Sequence, residues 1–442
     1  MEALRLAKAN AVSKTLFFSV GEPSGDQHAA RLIAELRGHY GTESVRCRGF
    51  GGPEMQAAGC SLDLDLTRHA VVGLVEVLPK LRSFFRFADQ AEQTFASGSV
   101  DGVVLVDFPG FNWHIAKRAK KYGIPVYYYC PPQLWAWGAW RVRKMRRSVD
   151  HVMTVLPIET TFFGDHGIPV SFVGHPFFDA VAEKKLDTDS MRQLNCQTGS
   201  THTGDDDAAV RTVAVLPGSR DHEVQRNFPI MLETIRRLQA QEAGSPKGTG
   251  KPEGTGKRDA VQTDVRYAVA AYRDRHCLWC RDQLTEADRA LPIDFFVDRT
   301  SEVIEAAHCA MMVSGSVSLE LMARGTPAAV IYRVGRILHA VGKRVLRVDS
   351  VTLPNLMAGR KVFPEFVSVG DVEPAIDFLH ETIRAMLHDQ FYYRRVQSDL
   401  AKLRDEYGLP GASRRSAEFL AERLGLSRHN GDNEQTIRRI AA

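Results

Sequence analysis

Cysteine is scarce in this chain: there are seven in 442 residues, odd in number and scattered. Such a set makes no disulfide framework and fits a reducing cytoplasm. Long apolar runs are missing as well, so no segment is read as a bilayer-spanning helix. The opening stretch, Met1 to Lys14, has no apolar centre of the kind a secretory signal carries. Neither sign of charge is in large excess; the net is +4, which by itself makes no case for nucleic acid. Neither glycine-bearing loop reads Gly-x-Gly-x-x-Gly, which speaks against a dinucleotide oxidoreductase. No carboxylate–histidine spacing calls for a metal. Cys277-Leu278-Trp279-Cys280 lacks the second pair a zinc site needs, and helix packing is the simpler reading.

What is present is ordinary globular material, 44% hydrophobic and 25% charged, with length for two or three domains. Apolar runs alternate with helix-like stretches. Leu16 to Val20 runs into Gly21-Glu22-Pro23-Ser24-Gly25-Asp26, with a helix beyond. Val103 to Val106, wholly apolar as buried parallel strands are, ends in Asp107-Phe108-Pro109-Gly110-Phe111-Asn112. Val45 to Phe50, Val126 to Tyr129, His151 to Leu156 and Val170 to Val173 continue the rhythm. It resumes at Val213 to Leu216, Val265 to Ala271, Ile293 to Val297 and Cys309 to Val313. This predicts an α/β protein with two doubly wound, Rossmann-like halves facing a cleft. The expected boundaries are 1–186 for the first domain, 208–372 for the second, 373–426 for C-terminal helices, and 427–442 for a loose polar tail. Asp187 to Asp207 reads as a linker, and Gly244 to Lys257 as a surface insertion.

The ordered set GEPSGD, VDFPGFN, PPQLWAW, FVGHP, LPGSR, SGSVSLE and LPNLMAGR resembles the lipid-A-disaccharide synthase family from about Leu16 to about Leu420. The resemblance implies an inverting, metal-independent glycosyltransferase that needs no cofactor. It would join UDP-2,3-diacylglucosamine to 2,3-diacylglucosamine 1-phosphate. It also implies C-terminal helices that return to the first domain, and a homodimer.

Asp107 stands just past a central strand, where open α/β sheets place ligands, and a carboxylate there can serve as the base for an acceptor hydroxyl. From position alone it could equally cap the next helix. The family carries an aspartate at the matching place, which implies catalysis. Relatives have a second acidic residue where this chain has Gly110, so one rival base is gone. Ser24, Gly25 and Asp26 open the first helix, where free amides favour an anion. The family places this loop on the acceptor side; Asp26 as a plain helix cap is the alternative. Gly218, Ser219 and Arg220 suit a donor diphosphate, since an arginine fork grips two oxygens at once. Pairing of Arg220 with Glu223 is the alternative. Ser314, Gly315 and Ser316 open another helix, with threonine usual in relatives at the third position. Glu320 follows as a candidate for ribose hydroxyls or as an exposed helix residue. Asn355 and Arg360 lie in a stretch with no helical or strand period, read as a donor-side loop.

Val71 to Phe87 mixes bulky apolar and basic residues, and Arg141, Arg143, Lys144, Arg146 and Arg147 form a basic cluster. Each reads from sequence as ordinary core or solvated surface. Acylated substrates, which the resemblance implies, raise peripheral contact with the cytoplasmic face of the inner membrane to an equal alternative. Two further alternatives stand: a UDP-sugar 2-epimerase of the same fold, and a non-catalytic lipid-binding protein.

Overall fold

The computed structural model describes residues 13–69, 81–196, 210–244, 264–336 and 350–428. The Gly244–Lys257 insertion, most of the segment after Cys196, the first half of the Val71–Phe87 stretch and the polar tail fall largely outside them. The chain divides into two units, Met1–Asp179 with Leu409–Ala442, and Ala180–Gly408.

The first unit is built on a parallel sheet of β1 (Lys14–Val20), β2 (Val45–Gly51), β3 (Ser61–Asp65), β4 (Gly102–Val106), β5 (Val126–Tyr129), β6 (His151–Thr154) and β7 (Val170–Phe172). The strand order is β3-β2-β1-β4-β5-β6-β7, every neighbour parallel. The apolar strands are buried on both faces because helices cover both. Phe17 at the centre meets Phe50 and Phe95 edge-on, with ring centroids 5.2 and 5.1 Å apart. Helices start where proline fixes the backbone and gives up an amide that would have had no partner: Pro23, Pro53, Pro109 and Pro157 each stand in a first turn.

The second unit repeats the plan with β8 (Arg211–Leu216), β9 (Val265–Ala271), β10 (Ile293–Val297), β11 (Cys309–Val313), β12 (Ala328–Val334) and β13 (Glu365–Val369). Their order is β10-β9-β8-β11-β12-β13. In each sheet the strand order reverses once, between β1 and β4 and between β8 and β11, and these are the points where doubly wound sheets receive ligands.

Three expectations need correction. Of the C-terminal helices, Glu373–His388 packs on Asp221–Gly244 and on β12, and Gln390–Tyr407 on Glu373–His388, all in the second unit. Apolar Ile376, Leu379, Ile383 and Met386 explain this, because they complete that unit's core. Ala412–Leu424 alone lies in the first unit, against Pro23–Tyr40. The expected linker is helical over Thr188–Cys196: its polar composition hid a start where the Asp187 carboxylate accepts the Ser190 amide at 2.9 Å. The expected donor-side loop contains a helix, Leu353–Ala358, short enough that no period showed. Pro354 stands in its first turn and Gly359, at φ 62°, closes it.

Candidate active site

At the β1/β4 reversal two loops meet. A Cβ on Gly21 would lie 2.2 Å from the Phe108 ring, so glycine is what lets that ring close over the end of β1. Gly25 packs a helix closely on the sheet; its Cβ would stand 3.0 Å from Val20 and 3.6 Å from Val106. Asp107 and Phe108 follow β4 with φ 44° and 46°, consecutive left-handed residues without glycine. Each such residue costs about 1–2 kcal/mol. Cys130, at the end of neighbouring β5, adds a third at φ 50°. Strained backbone gathered at strand ends is a mark of functional sites.

Asp107 is half-buried, not sealed in hydrocarbon. Desolvation raises its carboxyl above the usual range, against a smaller opposing effect of the Phe108 amide. A base so tuned is better matched to neutral pH. Its carbonyl, which the sequence did not flag, accepts from the Tyr128 hydroxyl at 2.6 Å and the Asn112 amide at 2.7 Å.

Glu159 is a second carboxyl that sequence reasoning missed. It lies buried at the start of Pro157–Asp165, accepting the Val155 and Leu156 amides at 3.0 and 3.1 Å, with the Trp135 indole nitrogen at 3.5 Å. Burial lifts its pKa to about 7, the three donors oppose this, and the charge of Asp107 adds to the rise. A carboxyl whose folded pKa is raised stabilises the fold fully below its unfolded pKa and loses that contribution as pH climbs through the folded value. Thermal stability of the first unit should therefore fall between about pH 4.5 and about pH 7 by a Glu159-dependent amount of order 3 kcal/mol. Melting curves of the native chain and Glu159→Gln across that range check it; equal slopes would refute it.

Other predicted residues are placed differently from what their motifs suggested. Ser24 is exposed on the first turn of Pro23–Tyr40, but Asp26 is 2% exposed. Its carboxylate accepts the amides of Gly52, Glu54 and Met55 at 2.9, 3.0 and 3.1 Å, so it caps a neighbouring helix, Pro53–Ala57, and is spent there. Capping is the alternative named for it, though the helix capped is not its own.

At the β8/β11 reversal, Gly218 has φ 125°. The amides of Ser219 and Arg220 donate to the Glu223 carboxylate at 3.0 and 3.2 Å, and the Arg220 guanidinium pairs with it at 2.9 Å. Arg220 thus makes the pairing named as its alternative, yet stays on the surface with two-thirds of its side chain exposed. Gly315 and Ser316 are exposed at the start of Val317–Arg324, and a Cβ on Gly315 would meet nothing within 4 Å. Ser314 is tied down by its hydroxyl, which donates to the Val351 carbonyl at 2.6 Å. Glu320 is buried and accepts from Arg324 at 3.0 Å, so it is not an exposed helix residue. Asn355 is buried too. It accepts the Val362 and Phe363 amides at 2.7 and 2.8 Å and donates to the Phe363 carbonyl at 2.9 Å, bonds that hold the turn after Leu353–Ala358. Arg360 grips Asp399 with both fork nitrogens, at 3.1 and 3.0 Å, on an exposed surface.

Two parallel sheets of the same reversed order, one carrying a tuned carboxylate and the other small-residue loops at its reversal, define a GT-B type architecture. Solved structures agree on the fold. The chain is similar to a putative UDP-N-acetylglucosamine 2-epimerase from Listeria monocytogenes, with TM-score 0.60 and 11% identity over 94% of this chain and 97% of that one. It is similar as well to the glycosyltransferase of kitacinnamycin, with TM-score 0.52 and 14% identity over 93% and 99%. Sequence goes further. Residues 16–245 and 281–398 match the lipid-A-disaccharide synthetase family. A lipid-A-disaccharide synthase of Syntrophus aciditrophicus (strain SB) is 33% identical over 92% of this chain and 96% of its own. Another, from Geobacter metallireducens (strain ATCC 53774 / DSM 7210 / GS-15), is 32% identical over 95% and 99%. The chain belongs to the lipid-A-disaccharide synthetase family, and it is a glycosyltransferase.

Proposed function

We propose that this chain transfers 2,3-diacylglucosamine from its UDP derivative to 2,3-diacylglucosamine 1-phosphate. The products are a β-1,6-linked acylated disaccharide 1-phosphate and UDP. Asp107 takes the proton of the acceptor 6-hydroxyl as that oxygen attacks the donor's anomeric carbon. The bond to the diphosphate breaks, its electron pair leaves with UDP, and the centre inverts. The observation that carries this reading is Asp107 itself: half-buried, raised in pKa, and standing at the end of β4 where the strand order reverses. In the second unit, Arg220 and the exposed turn of Gly315 and Ser316 are the candidates to hold the leaving diphosphate, as preorganised donors do. For Arg220 this requires the Glu223 carboxylate to give way.

Incubating the purified chain with both acylated sugars and weighing the product tests the reaction. Free UDP appearing only when acceptor is present supports transfer, whereas an isomeric UDP-sugar formed without acceptor points to an epimerase.

The acylated substrates make peripheral membrane contact part of the reading. Among the described residues no helix is long and apolar enough to cross a membrane. In the first unit Trp137 and Trp140 are half and 71% exposed, and the Arg141 guanidinium lies 4.0 Å from the Trp137 ring centroid. The adjoining helix Val142–Ser148 exposes Arg143, Lys144, Arg146 and Arg147. Indole and cation side by side suit an anionic lipid surface. Co-sedimentation with phosphatidylglycerol vesicles but not with phosphatidylcholine vesicles is expected, and it should weaken at least fivefold in a Trp137→Ala/Trp140→Ala variant. Equal sedimentation with both lipids would contradict it.

A further inference from the structure

Asp107 and Phe108 keep a backbone conformation that L-residues avoid, so something outside the pair must hold it. The point of attachment is the Asp107 carbonyl. Tyr128, on β5 where it pairs in register with Leu105 of β4, donates its hydroxyl to that oxygen at 2.6 Å. Asn112, on the helix Pro109–Lys121, donates its side-chain amide to the same oxygen at 2.7 Å. Asn112 is in turn fully buried and locked. Its oxygen accepts the Ser19 hydroxyl of β1 at 2.6 Å, and its amide also reaches the carbonyls of Ser19 and Val106 at 3.2 and 3.3 Å. One strand and one helix therefore donate to this carbonyl oxygen, and β1 and β4 hold Asn112 in place behind it. Fixing that oxygen fixes the peptide plane after Asp107, and so constrains the direction in which its Cα–Cβ bond leaves the backbone. Ring packing alone does not need this, because a phenylalanine would keep the ring of Tyr128 and lose only the hydroxyl.

We infer that Tyr128 and Asn112 are positioning residues for catalysis, acting through the Asp107 carbonyl to hold its carboxylate in the attacking geometry. The inference rests on Asp107 being the base. Each is a buried polar group that donates to the backbone of the reacting residue, and such support is what holds a catalytic group to within a fraction of an ångström. The titratable side chains whose charge Asp107 affects are Tyr128, Cys130 and Glu159.

Tyr128→Phe in the full chain, assayed with both acylated sugars, tests this. Expected is a fall in kcat of about tenfold with both KM values within twofold. The acid limb of the kcat/KM profile should also move to lower pH. A loosened loop lets water reach the carboxylate and relieves the desolvation that raises its pKa. In an Asp107→Asn background the same change should cost nothing further. A Tyr128→Phe enzyme that melts earlier but keeps the native kcat and acid limb would show an ordinary structural bond and overturn the inference. If that variant does not fold, Asn112→Ser reads the same quantities, and the same results support or overturn the inference. The two readings fail differently. An active Asp107→Asn removes the base and this inference with it. An inactive Asp107→Asn beside an unaltered Tyr128→Phe removes only the positioning role.

Discussion

Asp107→Asn should lower kcat about a thousandfold while leaving both KM values within threefold. General-base catalysis contributes roughly 10²–10⁴ in rate, and an amide of the same shape keeps the hydrogen-bonding outline while losing the basic electron pair. The substitution is clean because the carbonyl of this residue, not its carboxylate, carries the bonds to Tyr128 and Asn112, so the strained turn should survive. The native enzyme should show an acid limb in kcat/KM above the ordinary aspartate range, since desolvation raises the Asp107 pKa. Activity is lost as pH falls through that value, because the protonated carboxyl cannot accept the acceptor's proton. Steady-state kinetics across pH 4 to 8 give both quantities. Turnover within tenfold of native in Asp107→Asn would assign the proton to another group.

Asp179→Ala should open the first unit by about 3 kcal/mol, on the order of a hundredfold in the local opening equilibrium. The Asp179 carboxylate is buried and accepts three consecutive amides, from Gly411, Ala412 at 3.1 Å and Ser413 at 2.8 Å. These are donors at the start of Ala412–Leu424, which no intrahelical carbonyl can satisfy. Alanine leaves them unpaired, at a larger cost than an exposed cap because the site is dry and the acceptor is charged. Hydrogen exchange in Ala412–Leu424 reads the effect directly, and Asp179→Asn should fall between the two. Protection within threefold of native in the alanine variant would show the cap to be dispensable.

The sheet was legible where burial alone decides. Val103 to Val106 is wholly apolar and Leu16 to Val20 is apolar but for Ser19, as central parallel strands are, and Asp107 could be placed at a strand end from that fact. Polar side chains were harder. Asp26 and Asn355 stand in motifs that suggest ligands, yet each satisfies internal amides. The partners of Asp26 lie 26 to 29 residues away, so nothing local distinguishes a carboxylate turned to a ligand from one turned to its own fold. Arg220 and Glu223, three residues apart on one helix start, were readable as a pair for the opposite reason. The network behind Asp107 joins residues 93 positions apart in Ser19 and Asn112, and no spacing rule reaches across that gap. Glu159 gave no sign at all: a glutamate in the first turn of a helix is common, and only burial makes it unusual.

The first unit consists of two stretches of chain, with the whole of Ala180–Gly408 inserted between them. During synthesis the seven-stranded sheet leaves the ribosome long before the helix that covers Pro23–Tyr40 and answers the Asp179 carboxylate. Until then, the face of that helix that Ala412–Leu424 covers stays wet, and a nascent chain halted anywhere in the second half carries an N-terminal lobe lacking its last stave. Vectorial assembly therefore finishes the lobe that bears Asp107 last, so a truncated translation product cannot present a finished catalytic half.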